Sequence, residues 1–313
     1  MDQNIESAIS EKRKACKVLK VFKIISAIGI FASFIAFMVA SRNGYELDSV
    51  WLLIPILFAG GCFLFYYMET NKRKDLKKLM GQYVVRSVLD ERVQVLEYMP
   101  NGYANEAFLH NCLILPSFNN MDGSDFIHGI YRGVEFTFSD LTLRTETKGS
   151  PDGEFPGDNV VNFKGQLITA TSHKNVNGFV QIQERISPRM KNEKKSGILS
   201  RVLGSEDSRN SFMTGNASFD NRFDIYASDS QLALGVLTPQ LMHGLMGLEG
   251  LMEIQIAGNM VVVAIKNDRD LFELSNKGRG NGDMEEYRQT FRDELSGILR
   301  VIDVFGMNTD LFR

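Results

Sequence analysis

The residues that could do chemistry are few and scattered. His110, His128, His173 and His243 show no HxH or HExxH spacing that would bring two imidazoles to one metal. His128 follows Asp125 by three positions, so an ion pair or a general-base dyad is open to it, but no nucleophile is locatable beside it. Acids gather at Asp122-Gly-Ser-Asp125 and again at Asp152, Glu154 and Asp158. Neither group follows the twelve-residue alternation with a closing Glu that holds calcium, so solvated turns are expected. Gly278-Arg-Gly280-Asn-Gly282 precedes a helix and invites a phosphate, yet it lacks the Gly-Lys-Ser/Thr ending and reads as a flexible linker. Tyr131-Arg-Gly133 and Lys164-Gly165 put basic residues beside turn glycines. Lipid headgroups or acidic partners are the functional reading there, and solvated turns the plainer one. The Met-rich stretch from Leu241 to Met252 is an adaptable groove or, more simply, a helix packed on a core. Cys16, Cys62 and Cys112 lie far from one another and make no CxxC pair, which gives no disulfide framework and suits a reducing compartment. No catalytic, cofactor-binding or metal-binding residue is therefore assigned, and no cofactor is expected.

The scaffold beneath such residues is easier to read. From about Phe126 apolar residues alternate with polar ones through Ile127, Gly129, Tyr131, Val134, Phe136, Phe138, Leu141 and Leu143, the pattern of antiparallel strands with one wet face. Val160 to Thr169 and Phe179 to Ile186 predict two more strands, separated by a turn at Asn175 to Gly178. Strand character returns at Phe219 to Ala227, and Met252 to Ala257 with Met260 to Ile265, split by Gly258-Asn259, predicts a hairpin. Thr238-Pro239 caps a helix whose apolar face is Leu241, Met242, Leu245 and Leu248. Asp283 and Glu286 open a last helix with Tyr287, Phe291, Leu295, Ile298, Ile302 and Phe305 on one stripe. The fold class is α+β and mostly antiparallel.

Ahead of this body stand two runs, Ile24 to Ala40 and Val50 to Met68, with no Asp, Glu, Lys or Arg over 17 and 19 positions. At about 1.5 Å per residue each spans about 25–29 Å as a helix, close to the thickness of a bilayer's hydrocarbon core. The first run is longer than a signal-peptide core and is read as a retained helix. Lys12, Arg13, Lys14, Lys17, Lys20 and Lys23 precede it, and Lys72, Arg73, Lys74, Lys77 and Lys78 follow the second, while the connecting loop offers only Arg42. Basic residues stay on the cytoplasmic side, so both termini are expected there, in a plasma or inner membrane. Lys20 and Lys23 are expected to snorkel, Pro55 to bend the second helix, and Gly29, Ser33, Ala59, Gly60 and Gly61 to let the helices approach. With no ionisable residue inside either run, an anchor is favoured over a pore. A formal charge of −3 over 313 residues points to no nucleic-acid partner.

Six segments then carry a resemblance: Asp125-Phe-Ile-His-Gly129, Glu135-Phe-Thr-Phe-Ser-Asp140, Asn162-Phe-Lys-Gly165, Phe219 to Tyr226, Leu237-Thr-Pro-Gln-Leu-Met242 and Asp270-Leu-Phe-Glu273. In that order they are similar to the bacterial DUF3137 family, and the resemblance covers nearly the whole chain. Asp140 departs from it, because the family often carries Glu there. The resemblance implies two membrane helices followed by a cytoplasmic domain, and it carries over no activity and no functional residue.

The expected plan is a tail at 1–23, a transmembrane hairpin at 24–68, an amphipathic connector helix at 69–99 and a cytoplasmic α+β domain at 100–313 with a mobile insertion at 187–216. The body is expected to be a binding, scaffold or regulatory module whose partners are the lipid bilayer and a protein or anionic headgroups. The alternative is a membrane-anchored enzyme whose site is assembled from distant residues such as His128, Asp125 and Asp140.

Overall fold

The computed structural model describes residues 2–43, 51, 53–147, 157–185, 212–273 and 284–306. The chain divides into two compact units, Met1–Tyr83 and Val84–Arg313.

In the first unit, no proline and no glycine interrupts the chain before Gly29, and tail and first apolar run form one helix, α1, Asp2–Arg42. The helix α2, Leu53–Met80, carries the second run and continues through its basic flank. Pro55 falls in the first turn of α2, where its missing N–H was never going to find an intrahelical partner, so the expected bend has no cause there. The two helices pack antiparallel. Phe22 stacks on Phe65 at 5.4 Å, and a Cβ on Gly29 would lie 2.5 Å from the Phe58 ring, so only glycine admits this approach. Gly61 faces the buried Ser26, whereas nothing crowds Gly60. Lys23 is held by the buried carboxylate of Glu69, which also accepts from Arg73 Nε at 3.1 Å; this ion pair replaces the snorkelling expected of Lys23. Most apolar side chains of both helices face outward, Phe31 at 69 %, Leu57 at 75 % and Phe63 at 74 % exposure among them. A surface of that kind is not left in water, and the pair fits a membrane anchor.

The second unit opens on a shorter helix than expected. After a π-helical turn at Gly81–Val85, α3 covers only Arg86–Asp90, and Gln94–Met99 is already strand β1 rather than connector helix. Its backbone is taken up by β2, Asn120–Tyr131, in an antiparallel ladder. A short helix, α4, Glu106–Asn111, lies between them, capped by Asn105. The order continues with β3, Val134–Thr147, and β4, Asp158–Glu184, and the described residues form one six-stranded antiparallel sheet.

The 27-residue β4 is its spine. One edge of β4 pairs first with β3 and then with β5, Phe223–Ala227; the other pairs with β6, Leu251–Lys266, along most of its length. Two expected turns therefore become irregularities inside long strands. Asn175 to Gly178 does not divide β4, and Gly258-Asn259 does not reverse a hairpin. Val176 stands opposite Gly258, and the register shifts on both sides of that pair: β4 runs from Thr171 to Phe179 while β6 runs only from Met260 to Ala257. The extra residues bulge from β4, where Gly178 takes φ +129° and Gly258 opposite takes +58°, and both strands run on. Phe219 begins no strand either: Ala217–Arg222 is a helical turn, α5, capped by Asn216. The helices α6, Ser230–Val236, and α7, Pro239–Met246, follow β5; the Thr238 hydroxyl accepts from Leu241 N–H at 3.2 Å, as its position before Pro239 predicts. The last helix, α8, Met284–Gly306, buries Phe291, Leu295, Ile298, Ile302 and Phe305. Each such side chain contributes about 2 kcal/mol. The α+β architecture is thus two long apolar helices, an antiparallel sheet and a closing helix. Residues 186–211, most of the expected insertion, lie outside the described residues, as do the Asp283 cap, Ser150 to Pro156 and the whole 274–283 segment.

Candidate functional site

Alternation along β3 sends Phe136, Phe138 and Asp140 to one face and Ser139, Leu141 and Leu143 to the other. Leu141 and Leu143 join a core with Leu109, Phe163, Leu167 and Val262, so the second face is covered along this part of β3 while Glu135, nearer its start, stays exposed. Asp140, on the face that carries Phe136 and Phe138, is buried at 3 % exposure. Its two oxygens are both occupied: Gln166, directly opposite on β4, donates Nε2–H at 2.8 Å, and the Leu271 N–H donates at 2.9 Å. Gln166 also donates to the Arg269 carbonyl and accepts from Asn267 Nδ2 at 2.6 Å. These bonds fasten the segment after β6, residues 267–273, across the sheet as a strap.

Near its end the strap carries Phe272, a non-glycine residue at φ +54°. Its ring lies edge-on between Phe138 at 6.2 Å and Phe291 of α8 at 5.7 Å, and its N–H donates to Glu294 at 2.8 Å. One side chain thus joins sheet and helix, and two carboxylates hold the backbone beside it.

Asp125 reaches the same place from β2. The pairing of β2 with β3 slips between Ser124 and Ile127, and Asp125 takes φ +55° there. Its N–H turns to the Pro100 carbonyl, and its carboxylate, 1 % exposed as a residue, accepts the Tyr98 hydroxyl at 2.8 Å. One carboxylate oxygen from each of Asp125, Asp270 and Glu273 lies within 4.8 Å of the other two, and Ser124 donates to Asp270 at 3.4 Å. Burial, then the neighbouring Asp270 and Asp125, push the Asp140 carboxyl well above the ordinary carboxylate range, against the opposing bonds from Gln166 and Leu271. Burial and the Asp125 charge likewise hold the Tyr98 phenol protonated far above its usual range. Four acids gather here, Asp125 and Asp140 buried and Asp270 and Glu273 partly open to solvent, and an arrangement of that kind retains a proton on its buried members or takes a cation. The donors Asp125, Asp270 and Glu273 are all hard oxygen, which suits Mg²⁺ or Ca²⁺ and not zinc.

Of the three residues named for an assembled enzyme site, Asp125 and Asp140 come together and His128 does not. His128 Nε2 pairs with Glu135 Oε1 across the β2–β3 ladder at 2.7 Å, on the solvent side. His110 stacks on Phe118 at 4.3 Å beside an open cleft with Tyr103 and Met121, His243 is exposed on α7, and the His173 side chain lies outside the described residues. Asp122 bonds the neighbouring Gly123 N–H and Asp158 that of Asn159; these are turn and strand-end contacts, whereas Asp125 is buried rather than solvated. Asp152, Glu154 and the Gly278 to Gly282 segment fall outside the described residues. Arg132 is engaged by Asp303 of α8 at 2.9 Å and its side chain stays 69 % exposed. Lys164 gives its carbonyl to Asn267 and Asp268, and Gly165 leaves no room for a side chain against the Ile265 carbonyl. Leu241, Met242, Leu245, Leu248 and Met252 are buried, which makes the Met-rich stretch core. Burial pushes the Cys112 thiol up to about 11, a poor nucleophile.

In the sequence, Asp270 and Glu273 stand out only as motif residues. The available signal was the company they keep: acids inside apolar stretches, as Asp140 stands between Phe138 and Leu141. Residues 161–307 match the family DUF3137, described as a protein of unknown function, which bears out the resemblance and includes the Asn162 to Gly165 and Asp270 to Glu273 segments. No curated protein matches the chain. Among solved structures, the crystal structure of the mycobacterial trehalose monomycolate transport factor A, TtfA, is similar at TM-score 0.36 and 10 % identity over 72 % of this chain and 93 % of that one, too loose a likeness to bear on function.

Proposed function

For a chain that carries the DUF3137 region, we propose a two-pass integral membrane protein that holds its sheet domain at the cytoplasmic face of a plasma or inner membrane as a binding and regulatory module. The observation that carries the reading is the outward apolar surface of α1 and α2, which has charged residues only beyond its ends. The test is extraction and topology on the full chain. Alkaline carbonate should leave the protein in the membrane fraction, and reporters fused at either terminus should read cytoplasmic. Release by carbonate, or an external reporter at the carboxyl end, would refute it.

A second reading, a membrane-anchored enzyme, is favoured by one observation. Asp125 and Asp140, 15 positions apart in sequence, share a corner in which burial and neighbouring acids push the Asp140 carboxyl well above the ordinary carboxylate range, the direction an acid–base pair needs. The detergent-solubilised full chain, screened on ester, phosphate and peptide libraries, decides between the two. Turnover that Asp125→Asn and Asp140→Asn both abolish establishes the enzyme, and silence across all three libraries favours the binding module.

A further inference from the structure

The basic residues on either side of the apolar runs sit far apart in sequence, and the antiparallel pairing brings them to one end of the hairpin. Lys12 lies 3.7 Å from Asp75, and Lys23 is bound by Glu69. Eleven cations, Lys12 to Lys23 on α1 and Lys72 to Lys78 on α2, therefore ring the same end of two unbroken helices. Acids answer few of them. Glu69 holds Lys23 and Arg73, and Asp75 holds Lys12. Among the described residues Lys14, Lys17, Lys20, Lys72, Lys74 and Lys78 engage no carboxylate, and all six are exposed.

Their depth selects the counter-charge. By helix rise, Lys20 and Lys72 stand about 6 Å beyond the apolar runs, Lys17 and Lys74 about 9–10 Å, and Lys14 and Lys78 about 15 Å. The polar layer of one leaflet is about 5–8 Å deep, and a lysine stem bends readily toward it. Four of the six thus reach the phosphate level, and an ammonium takes phosphate as a point charge. From this geometry we propose that Lys17, Lys20, Lys72 and Lys74 form a collar that selects anionic phospholipid headgroups in the leaflet at that end of the hairpin. The proposal rests on the membrane reading above and adds the class of lipid the anchor gathers.

The experiment reconstitutes the full chain in phosphatidylcholine bilayers with and without phosphatidylglycerol and measures the lipid retained on gentle solubilisation. Wild type should enrich phosphatidylglycerol about fivefold over phosphatidylcholine, the factor that one lysine near a charged surface supplies. The quadruple Lys→Gln variant at 17, 20, 72 and 74 should lose the enrichment, and the matching Lys→Arg variant, which keeps the charge, should retain it. Equal retention of both lipids by wild type, or unchanged enrichment in the Gln variant, would overturn the collar. So would salt-sensitive capture of polyglutamate without lipid selectivity, which would assign the lysines to an acidic protein. A carbonate wash of the same samples separates the two failures: a chain that stays embedded but shows no preference refutes the collar alone, and a chain that washes out refutes the anchor.

Discussion

At Glu184, near the C-terminal end of β4, a mostly buried carboxylate meets a guanidinium. At Gln166, eighteen positions earlier on the same strand, Asp140 has a neutral amide as its partner and Asp125 and Asp270 as neighbours. Arg222 donates to Glu184 at 2.8 Å, to the Met246 carbonyl at 2.7 Å and to the Leu248 carbonyl at 2.9 Å, and Glu184 in turn accepts the Met252 N–H. Every charge there has a stated structural task, namely to close the end of α7 and start β6. At the other end like charges gather, Asp125 and Phe272 adopt left-handed backbone, and the groups bonded to Asp140 are an amide and a backbone N–H rather than a cation. A fold can bury a carboxylate by pairing it; when it crowds carboxylates instead, it accepts a cost of several kcal/mol that stability alone does not explain. That contrast places the candidate site at the Asp140 end.

The contrast can be broken in order of size. Gly165→Ala puts a methyl against the Ile265 carbonyl at the rung beside Asp140, and should cost about 4 kcal/mol in thermal or chemical unfolding of the full chain. A loss below about 1 kcal/mol would mean that β4 and β6 are not so tightly apposed. Arg222→Ala strands Glu184 and two carbonyls, and a loss of about 3 kcal/mol is expected. Arg222→Lys should recover only a fraction of it, since one ammonium cannot span all three acceptors.

Asp140→Asn should act in the opposite direction, raising stability at neutral pH by about 1 kcal/mol because the amide, unlike a carboxyl raised above its ordinary range, has no proton to take up on folding. The sign follows from linkage. The folded Asp140 carboxyl lies above the ordinary range near pH 4, so the stability it contributes is complete below about pH 4 and is lost as pH rises through the folded value. Wild type should weaken on that upward titration, and Asp140→Asn should flatten this limb; an identical pH profile for both would remove the argument for a crowded site. Smallest of all, Arg292→Gln releases Glu91, which Arg292 holds in a two-bond fork at 3.0 Å on an exposed surface. Glu91 is held below its ordinary range, so its contribution is present above about pH 4.3 and fades as pH falls; the variant should differ from wild type only at low salt, with a blunted acid limb.

How far the sequence reached can be judged from single residues. Thr238 before Pro239 fixed a helix start because capping is local chemistry, and the stripe from Phe291 to Phe305 fixed a helix face because its period is local too. Gly258-Asn259 misled for the same reason: a pair that reverses a hairpin also serves as an irregularity in a long strand, and only the opposing strand decides which. Phe219 looked like strand until Asn216 capped a helical turn over it.

Consecutive residues were enough to dictate two uncharged apolar rods ahead of an antiparallel α+β body, because hydrophobic period and the absence of charge are properties of neighbours along the chain. They also held every acid of the candidate corner, as members of short ordered segments. It took the folded sheet to bring Asp125, Asp140, Asp270 and Glu273 into one corner and to leave His128 aside with Glu135. Strand register sets which residues meet across a sheet, and register depends on partners tens to more than a hundred positions away, whose pairing no local pattern encodes.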